Sequence, residues 1–234
     1  MTEAKIQWAY LDGINKLQIY NKDCVNMMSK MESNMFDLAI VDPPYGIDVT
    51  KMSLGKHEKR SIRRDLYRGE KDWDSAAPGK DYFDELFRVS KNQIMFGANH
   101  YIENFAHLGI NSSCWIVWDK DNGETDYADC ELAWASFKKP VRRFKHPWYG
   151  FMAKERNEDD RIHPTQKPIA LYRWILTKFA SPGQHILDTH MGSGSSAIAC
   201  KFEGMLYTGY EIDNGHFTNA VKRIQKTTKQ QTLW

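Results

Sequence analysis

At 234 residues and 41% hydrophobic content, the chain can bury one sizeable core and reads as a single domain over 1–234. Its 32 Lys and Arg nearly balance 30 Asp and Glu, so total charge announces no nucleic-acid partner and basic residues have to be read locally. Cys24, Cys114, Cys130 and Cys200 lie far apart with no Cys-x-x-Cys pair, which argues against zinc and a disulfide framework and suits a reducing cytoplasm. The N-terminus shows no leader pattern and no apolar run reaches membrane-spanning length, so no membrane association is expected.

In chain order, residues 16–20 read as a short strand ending at Asn21-Lys22-Asp23-Cys24, with a helical turn or two after it. Asp23 is either a helix N-cap, a role Asp fills well, or a ligand at a sheet edge. Residues 36–41 form an apolar, β-favouring run of the buried parallel type. Pro43 and Pro44 donate no backbone hydrogen bond and must end that strand, which puts Asp42 at its carboxyl end. Open α/β sheets bind their ligands at that edge. Asp42-Pro43-Pro44-Tyr45 therefore offers a carboxylate, stiff backbone carbonyls and an aromatic ring. That set suits a planar heterocycle with an exocyclic amino group.

A polar stretch follows, roughly 48–80. Between Lys51 and Lys71 it carries Lys51, Lys56, Lys59, Arg60, Arg63, Arg64, Arg68 and Lys71 against Glu58, Asp65 and Glu70, a balance of 8 − 3 = +5. It is read either as a solvated face or as phosphate-contacting, the latter favoured by its place just after the pocket. A helix is expected over 81–90, strands over 93–97 and 114–118, a turn-rich acidic loop over 119–126 and a further strand over 130–137. A second basic cluster contains Lys138, Lys139, Arg142, Arg143, Lys145 and His146, interleaved with Phe144, Trp148 and Tyr149. It is read as a nucleic-acid-facing loop or a solvated hairpin.

His163-Pro164-Thr165-Gln166-Lys167-Pro168 precedes an amphipathic helix over 169–180, with Pro168 suited to its first turn. Ser181-Pro182-Gly183 ends that helix, and a strand over 185–188 runs into Thr189-His190-Met191-Gly192-Ser193-Gly194-Ser195-Ser196. A helix to 202, a strand over 206–210, Glu211 and a closing helix over 215–229 complete the chain. Strand, glycine turn, helix, strand and acid make a nucleotide-binding βαβ unit, in which Gly192 and Gly194 permit close approach and Glu211 can accept ribose hydroxyls. Taken alone, this also fits a dinucleotide fingerprint; a P-loop is excluded because no Gly-Lys-Ser/Thr follows. Only 234 − 211 = 23 residues follow Glu211, so the remaining strands must come from the N-terminal half and the fold is permuted.

That order resembles the β class of S-adenosylmethionine-dependent DNA amino-methyltransferases of the adenine-specific, Asp-Pro-Pro-Tyr type. Asp42 to Tyr45 is similar to motif IV, His163 to Pro168 to motif X, Leu187-Asp188 through Ser196 to motif I, Gly209 to Asp213 to motif II, and Asn21 to Cys24 to motif III. Thr189-His190 stands where the family has Pro-Phe, and Ser195-Ser196 where it has Thr-Thr. The resemblance implies an α/β, permuted Rossmann-like methyltransferase fold: a mostly parallel twisted sheet, helices on both faces and one antiparallel edge strand. It implies S-adenosylmethionine as cofactor, no metal, and Asp42, Pro43, Pro44 and Tyr45 as catalytic residues. Asp42 and the Pro43 carbonyl would hold the two amino hydrogens while Tyr45 stacks on the base. Implied cofactor contacts are Asp23, Cys24, Asp42, His163, Thr165, Lys167, Asp188, His190, Gly192, Gly194, Ser195, Glu211, Ile212 and Asp213. Lys51, Lys56, Arg60, Arg63, Arg64, Arg68, Lys139, Arg142, Arg143 and Lys145 are the expected DNA contacts, with target recognition in the insertions at about 48–80 and 138–160. Double-stranded DNA is the expected partner, with a partner restriction endonuclease and a homodimer as further expectations. Cytosine methylation, RNA adenine methylation and a nucleotide-binding module without transfer activity are the alternatives.

Overall fold

The computed structural model describes residues 8–12, 15–47, 74–122, 128–148, 162 and 165–229. The strands are β1 (Trp8–Asp12), β2 (Asn15–Tyr20), β3 (Leu38–Val41), β4 (Gln93–Phe96), β5 (Trp115–Asp119), β6 (Cys130–Ala135), β7 (Arg142–Lys145), β8 (His185–Asp188) and β9 (Leu206–Tyr210). The helices are α1 (Cys24–Met28), α2 (Lys80–Val89), α3 (Ile102–Phe105), α4 (Ile169–Phe179), α5 (Ser195–Phe202) and α6 (Asn214–Lys229).

Among the described residues, nine strands join one sheet in the order β1-β2-β9-β8-β3-β4-β6-β5-β7. Central strands are apolar throughout because both faces are covered, and their side chains alternate between two cores. Leu38 and Ile40 of β3 enter the core formed with α4, α5 and α6, whereas Ala39 and Val41 enter the one formed with α1, α2 and α3. The mostly parallel sheet with helices on both faces agrees with expectation. The antiparallel edge strand is β1, which pairs with β2 alone. A second reversed strand, β6, lies inside the sheet, antiparallel to both β4 and β5.

Chain order reverses between β8 and β3, which lie side by side in parallel. From β8 the chain crosses through α5 to β9 on one side; from β3 it crosses through α2 to β4 on the other. Crossovers on opposite sides leave a crevice at the carboxyl ends of these two strands, the ligand position of an open α/β sheet. Asp42 and Asp188 stand at that point.

Residues 142–145, read from sequence as part of a loop or hairpin, form the edge strand β7, parallel to β5. Phe144 anchors it by packing on Trp174 of α4, with ring centroids 5.3 Å apart, while Arg142, Arg143 and Lys145 stay exposed. Most of the insertions at 48–80 and 138–160 lie outside the described residues. Among the described residues, no helix is long and apolar enough to cross a membrane.

Candidate active site

Parallel strands deliver their carboxyl ends to one edge. Asp23 follows β2, Glu211 follows β9, Asp188 ends β8, Asp42 follows β3 and Gly97 follows β4. Because β6 runs the other way, its beginning reaches this edge, and Glu131 enters beside Lys120 at the end of β5.

Asp42 is held from both sides. Lys167 Nζ donates to its Oδ2 at 2.5 Å, and the Tyr45 hydroxyl donates to its Oδ1 at 2.8 Å. Nζ also lies 3.2 Å from the Tyr45 hydroxyl and 3.3 Å from Glu131 Oε2, while Lys120 pairs with Glu131 Oε1 at 2.7 Å. Two cations and two carboxylates thus alternate from Lys120 to Asp42, as partly buried charges require. Burial pushes the Asp42 carboxyl up against the opposing pull of Lys167. Burial alone pulls the Lys167 ammonium down, but Asp42 and Glu131 outweigh it and hold it above its ordinary value. Burial likewise lifts Glu131, but Lys167 and Lys120 outweigh it and leave its carboxyl lowered.

The backbone after the proline pair is pinned by Asp74, which is buried and accepts from Tyr45 N–H at 2.7 Å and Gly46 N–H at 3.1 Å. The Tyr45 ring lies across Gly97 and stacks on exposed His100, centroids 5.2 Å apart and planes 14° from parallel. Pro43 is buried and Pro44 half-buried beneath this arrangement.

Around the glycine turn, Glu211 is buried and spreads its two oxygens over the backbone: Oε2 accepts from Gly192 N–H and Oε1 from Asp213 N–H, each at 2.9 Å. Burial raises its pKa against those bonds. Ile212 beside it is 69% exposed, an apolar face at the rim. Asp188 accepts from Ser196 Oγ at 2.5 Å and His190 N–H at 3.0 Å, and burial pushes its carboxyl up to about 7. The bond from Ser196 needs only a hydroxyl, which Ser and Thr supply alike. Burial pushes His190 down to about 4, and its ring packs edge-on to Tyr82 while Nδ1 meets the Thr189 hydroxyl at 2.9 Å. Gly194, at φ +76°, opens α5, and Ser195 binds the Arg223 guanidinium at 3.0 Å. Asp23 caps α1 through Asn26 N–H at 2.8 Å, as the N-cap reading expected, and stands at the same sheet edge. Cys24, just after it, is buried, and burial pushes its thiol up to about 12.

Lys167, expected among the cofactor contacts, is paired with Asp42, and Thr165 is half-buried on the turn leading to it. His163, Lys51, Lys56, Arg60, Arg63, Arg64 and Arg68 lie outside the described residues. Lys139 donates to the Lys178 carbonyl at 2.8 Å and lies over the Phe137 and Phe179 rings, which commits it to the end of α4. Lys145 pairs with Asp121 at 2.9 Å, Arg143 approaches Asp119 at 3.9 Å, and Arg142 is exposed on the same strand.

Sequence reasoning passed over Lys120, Glu131, Asp74, Gly97, His100 and Arg223. Two of these carried a signal: Glu131 is a charge inside an otherwise apolar strand, and Gly97 is a glycine at a strand end.

Comparison with known proteins bears on this geometry. Residues 118–222, which contain Glu131, Lys167, Asp188 and Glu211, match a family model described as DNA methylase. The chain is 22% identical over 250 residues to the Type II methyltransferase M2.DpnII of Streptococcus pneumoniae, covering 90% of each. It is 23% identical over 261 residues to the Type II methyltransferase M2.MboI of Moraxella bovis, covering 94% of this chain and 92% of the relative. The matched family model and the two relatives support a DNA amino-methyltransferase. The chain's fold is shared with the crystal structure of the M1.HpyAVI-SAM complex, at a TM-score of 0.54 and 23% identity over 88% of this chain and 99% of that one. The chain thus keeps its acidic and glycine-turn groups along one sheet edge, with β8 and Asp188 lying between Asp42 and Glu211.

Proposed function

We propose that the enzyme moves a methyl group from S-adenosylmethionine to the exocyclic amino group of adenine in double-stranded DNA. The observation that carries this reading is Asp42: a carboxylate fixed through both oxygens at the switch point of the sheet, beside the glycine turn and Glu211. Its position follows from β3 ending at two prolines, and its orientation from Lys167 and Tyr45.

The residues around the glycine turn fit the cofactor. Each Glu211 oxygen accepts one backbone N–H and keeps a lone pair for a ribose hydroxyl. Ile212 offers an apolar face to a planar base, and Asp23 adds a carboxylate at the end of the next strand. Asp188, buried, and His190, half-buried, brace the turn. When bound, S-adenosylmethionine supplies an electrophilic sulfonium methyl, so the donor needs no metal activation.

The protein's task is the amine. An aryl amine's lone pair is delocalised into its ring. A carboxylate accepting one amino hydrogen, with the Pro43 carbonyl accepting the other, turns the lone pair outward and offsets the positive charge that develops on nitrogen. Inside a duplex the amine is out of reach, so the base must be flipped out, at a cost of a few kcal/mol. Tyr45 offers it a ring, and a base stacking there would take the place now held by His100.

Target recognition falls to the insertions at 48–80 and 138–160, and the cytoplasm is the expected setting. That both relatives are Type II methyltransferases supports a partner restriction endonuclease, and a homodimer belongs to the same reading. Expression in a host lacking other methylases, followed by modification-aware sequencing, tests the proposal. N6-methyladenine at one recurrent sequence is expected; N4-methylcytosine or unmodified DNA would refute the adenine reading.

A further inference from the structure

Lys167 has two carboxylates within reach but uses only one well. Its short bond goes to Asp42 Oδ2, at 2.5 Å, while Glu131 Oε2 lies at 3.3 Å. That Glu131 oxygen is buried and accepts no hydrogen bond among the described residues, although its twin is paired with Lys120 at 2.7 Å. A buried carboxylate oxygen without a donor is costly unless something comes to it. The nearest donor is an ammonium already at ion-pair distance, on a flexible four-carbon stem.

The present arrangement suits the resting enzyme and opposes the reaction. As the target amine attacks, positive charge grows on its nitrogen beside Asp42. An ammonium on the same carboxylate repels that charge and weakens Asp42 as an acceptor. We propose that Glu131 is a positioning residue: it takes up the Lys167 ammonium as the target amine arrives, and so frees the negative charge of Asp42 for the amine. The shift needed is small, since Nζ already stands 3.3 Å from the waiting oxygen. Lys120, fixed on the other Glu131 oxygen, keeps that carboxylate aimed at Lys167. The proposal rests on the reading of Asp42 as the group that holds the amine.

The test is single-turnover methyl transfer on cognate DNA with the full-length enzyme, measured beside S-adenosylmethionine affinity and thermal stability. Glu131→Gln keeps the shape and removes the charge. It is expected to lower the rate about tenfold, less than the roughly 10²–10³ for a group in direct contact, with cofactor affinity unchanged. Glu131→Asp keeps the charge but withdraws it by one methylene, and is expected to lose less. In a Lys167→Met background, where no ammonium competes for Asp42, Glu131→Gln should change the rate by less than about twofold, because the two residues act as one unit. A parent-like rate in both Glu131 variants, or the same loss with and without Lys167, would overturn the proposal. An Asp42→Asn control separates the two readings. If that variant transfers at the parent rate, the assignment of Asp42 itself has failed; if it is inactive while the Glu131 variants are normal, only the role of Glu131 has.

Discussion

Tyr45 lies against the bare α-carbon of Gly97: a Cβ built on Gly97 would stand 2.1 Å from the Tyr45 ring. The Tyr45 ring at one strand end is therefore seated in a gap left by a glycine at the end of the neighbouring strand. Gly97 also has φ +69°, in the left-handed region. Gly97→Ala should cost about 1–2 kcal/mol through its backbone and in addition expel the Tyr45 ring. Gly109 provides the control, since it has φ +64° with open space around it. Both variants should lose stability in thermal denaturation, Gly97→Ala more because of the added clash, but only Gly97→Ala should lose methyl transfer. Equal activity in the two would detach Tyr45 from catalysis.

The second prediction concerns pH and Asp188, whose carboxyl is raised by burial from its ordinary 3.8 to about 7. A raised carboxyl contributes stability that is full below about pH 4 and is lost as pH rises through about 7. His190 has the opposite sign: it is lowered from 6.5 to about 4, so its contribution is lost as pH falls through 4. The His190 contribution is common to the parent and Asp188→Asn and cancels in their difference. The stability of Asp188→Asn relative to the parent should therefore climb by about 1.4 kcal/mol per pH unit between about pH 4 and 7, then level off. Denaturant unfolding across pH 4–8 checks this. A flat difference above pH 5 would mean that Asp188 titrates normally.

Much of this edge was legible in the sequence because it is written in local signals. Pro43-Pro44 had to end β3, and Gly192-x-Gly194 had to turn between β8 and α5; both placements hold. The ion-pair chain was not legible. Lys167 and Asp42 are 125 positions apart, and Lys167 reaches Asp42 from the segment that leads into α4. Glu131 lies in a strand otherwise read as apolar, and nothing local tells a reader that a reversed strand brings its first residues to the active edge. The basic cluster at 138–146 misled in a different way. Its charges suggested a loop, but Phe144 packs on Trp174 and sets residues 142–145 as an edge strand.

Glu211 gives a third prediction. Glu211→Gln places an amide N–H₂ against either the Gly192 or the Asp213 N–H and removes a charged acceptor for the ribose. Loss of a charge-assisted hydrogen bond is worth about 1.5–3 kcal/mol, so the dissociation constant for S-adenosylmethionine should rise roughly ten- to a hundredfold. DNA affinity should not change. Calorimetry with unaltered cofactor affinity would contradict the ribose role.

A fourth prediction addresses the run from Lys51 to Lys71, which lies outside the described residues and carries the local +5 balance. If it holds the DNA backbone, replacing Arg60, Arg63 and Arg64 with Gln weakens binding to cognate and unrelated duplexes alike. The salt dependence should become shallower by roughly 0.9 for each phosphate no longer neutralised. The methylated sequence should stay the same, because groups that touch only phosphates carry no sequence information directly. A changed methylation site would instead make this run a base reader.

Asp42 carries the account, and Asp42→Asn tests it with least disturbance, since the amide keeps the shape and can still accept from Tyr45 or Lys167. The decisive measurement is the single-turnover rate of methyl transfer to cognate DNA at saturating S-adenosylmethionine, with cofactor affinity measured on the same preparation. A loss on the order of 10²-fold or more, with cofactor affinity intact, is the predicted result. A rate comparable to the parent enzyme would contradict the assignment of Asp42 as the group that holds the target amine.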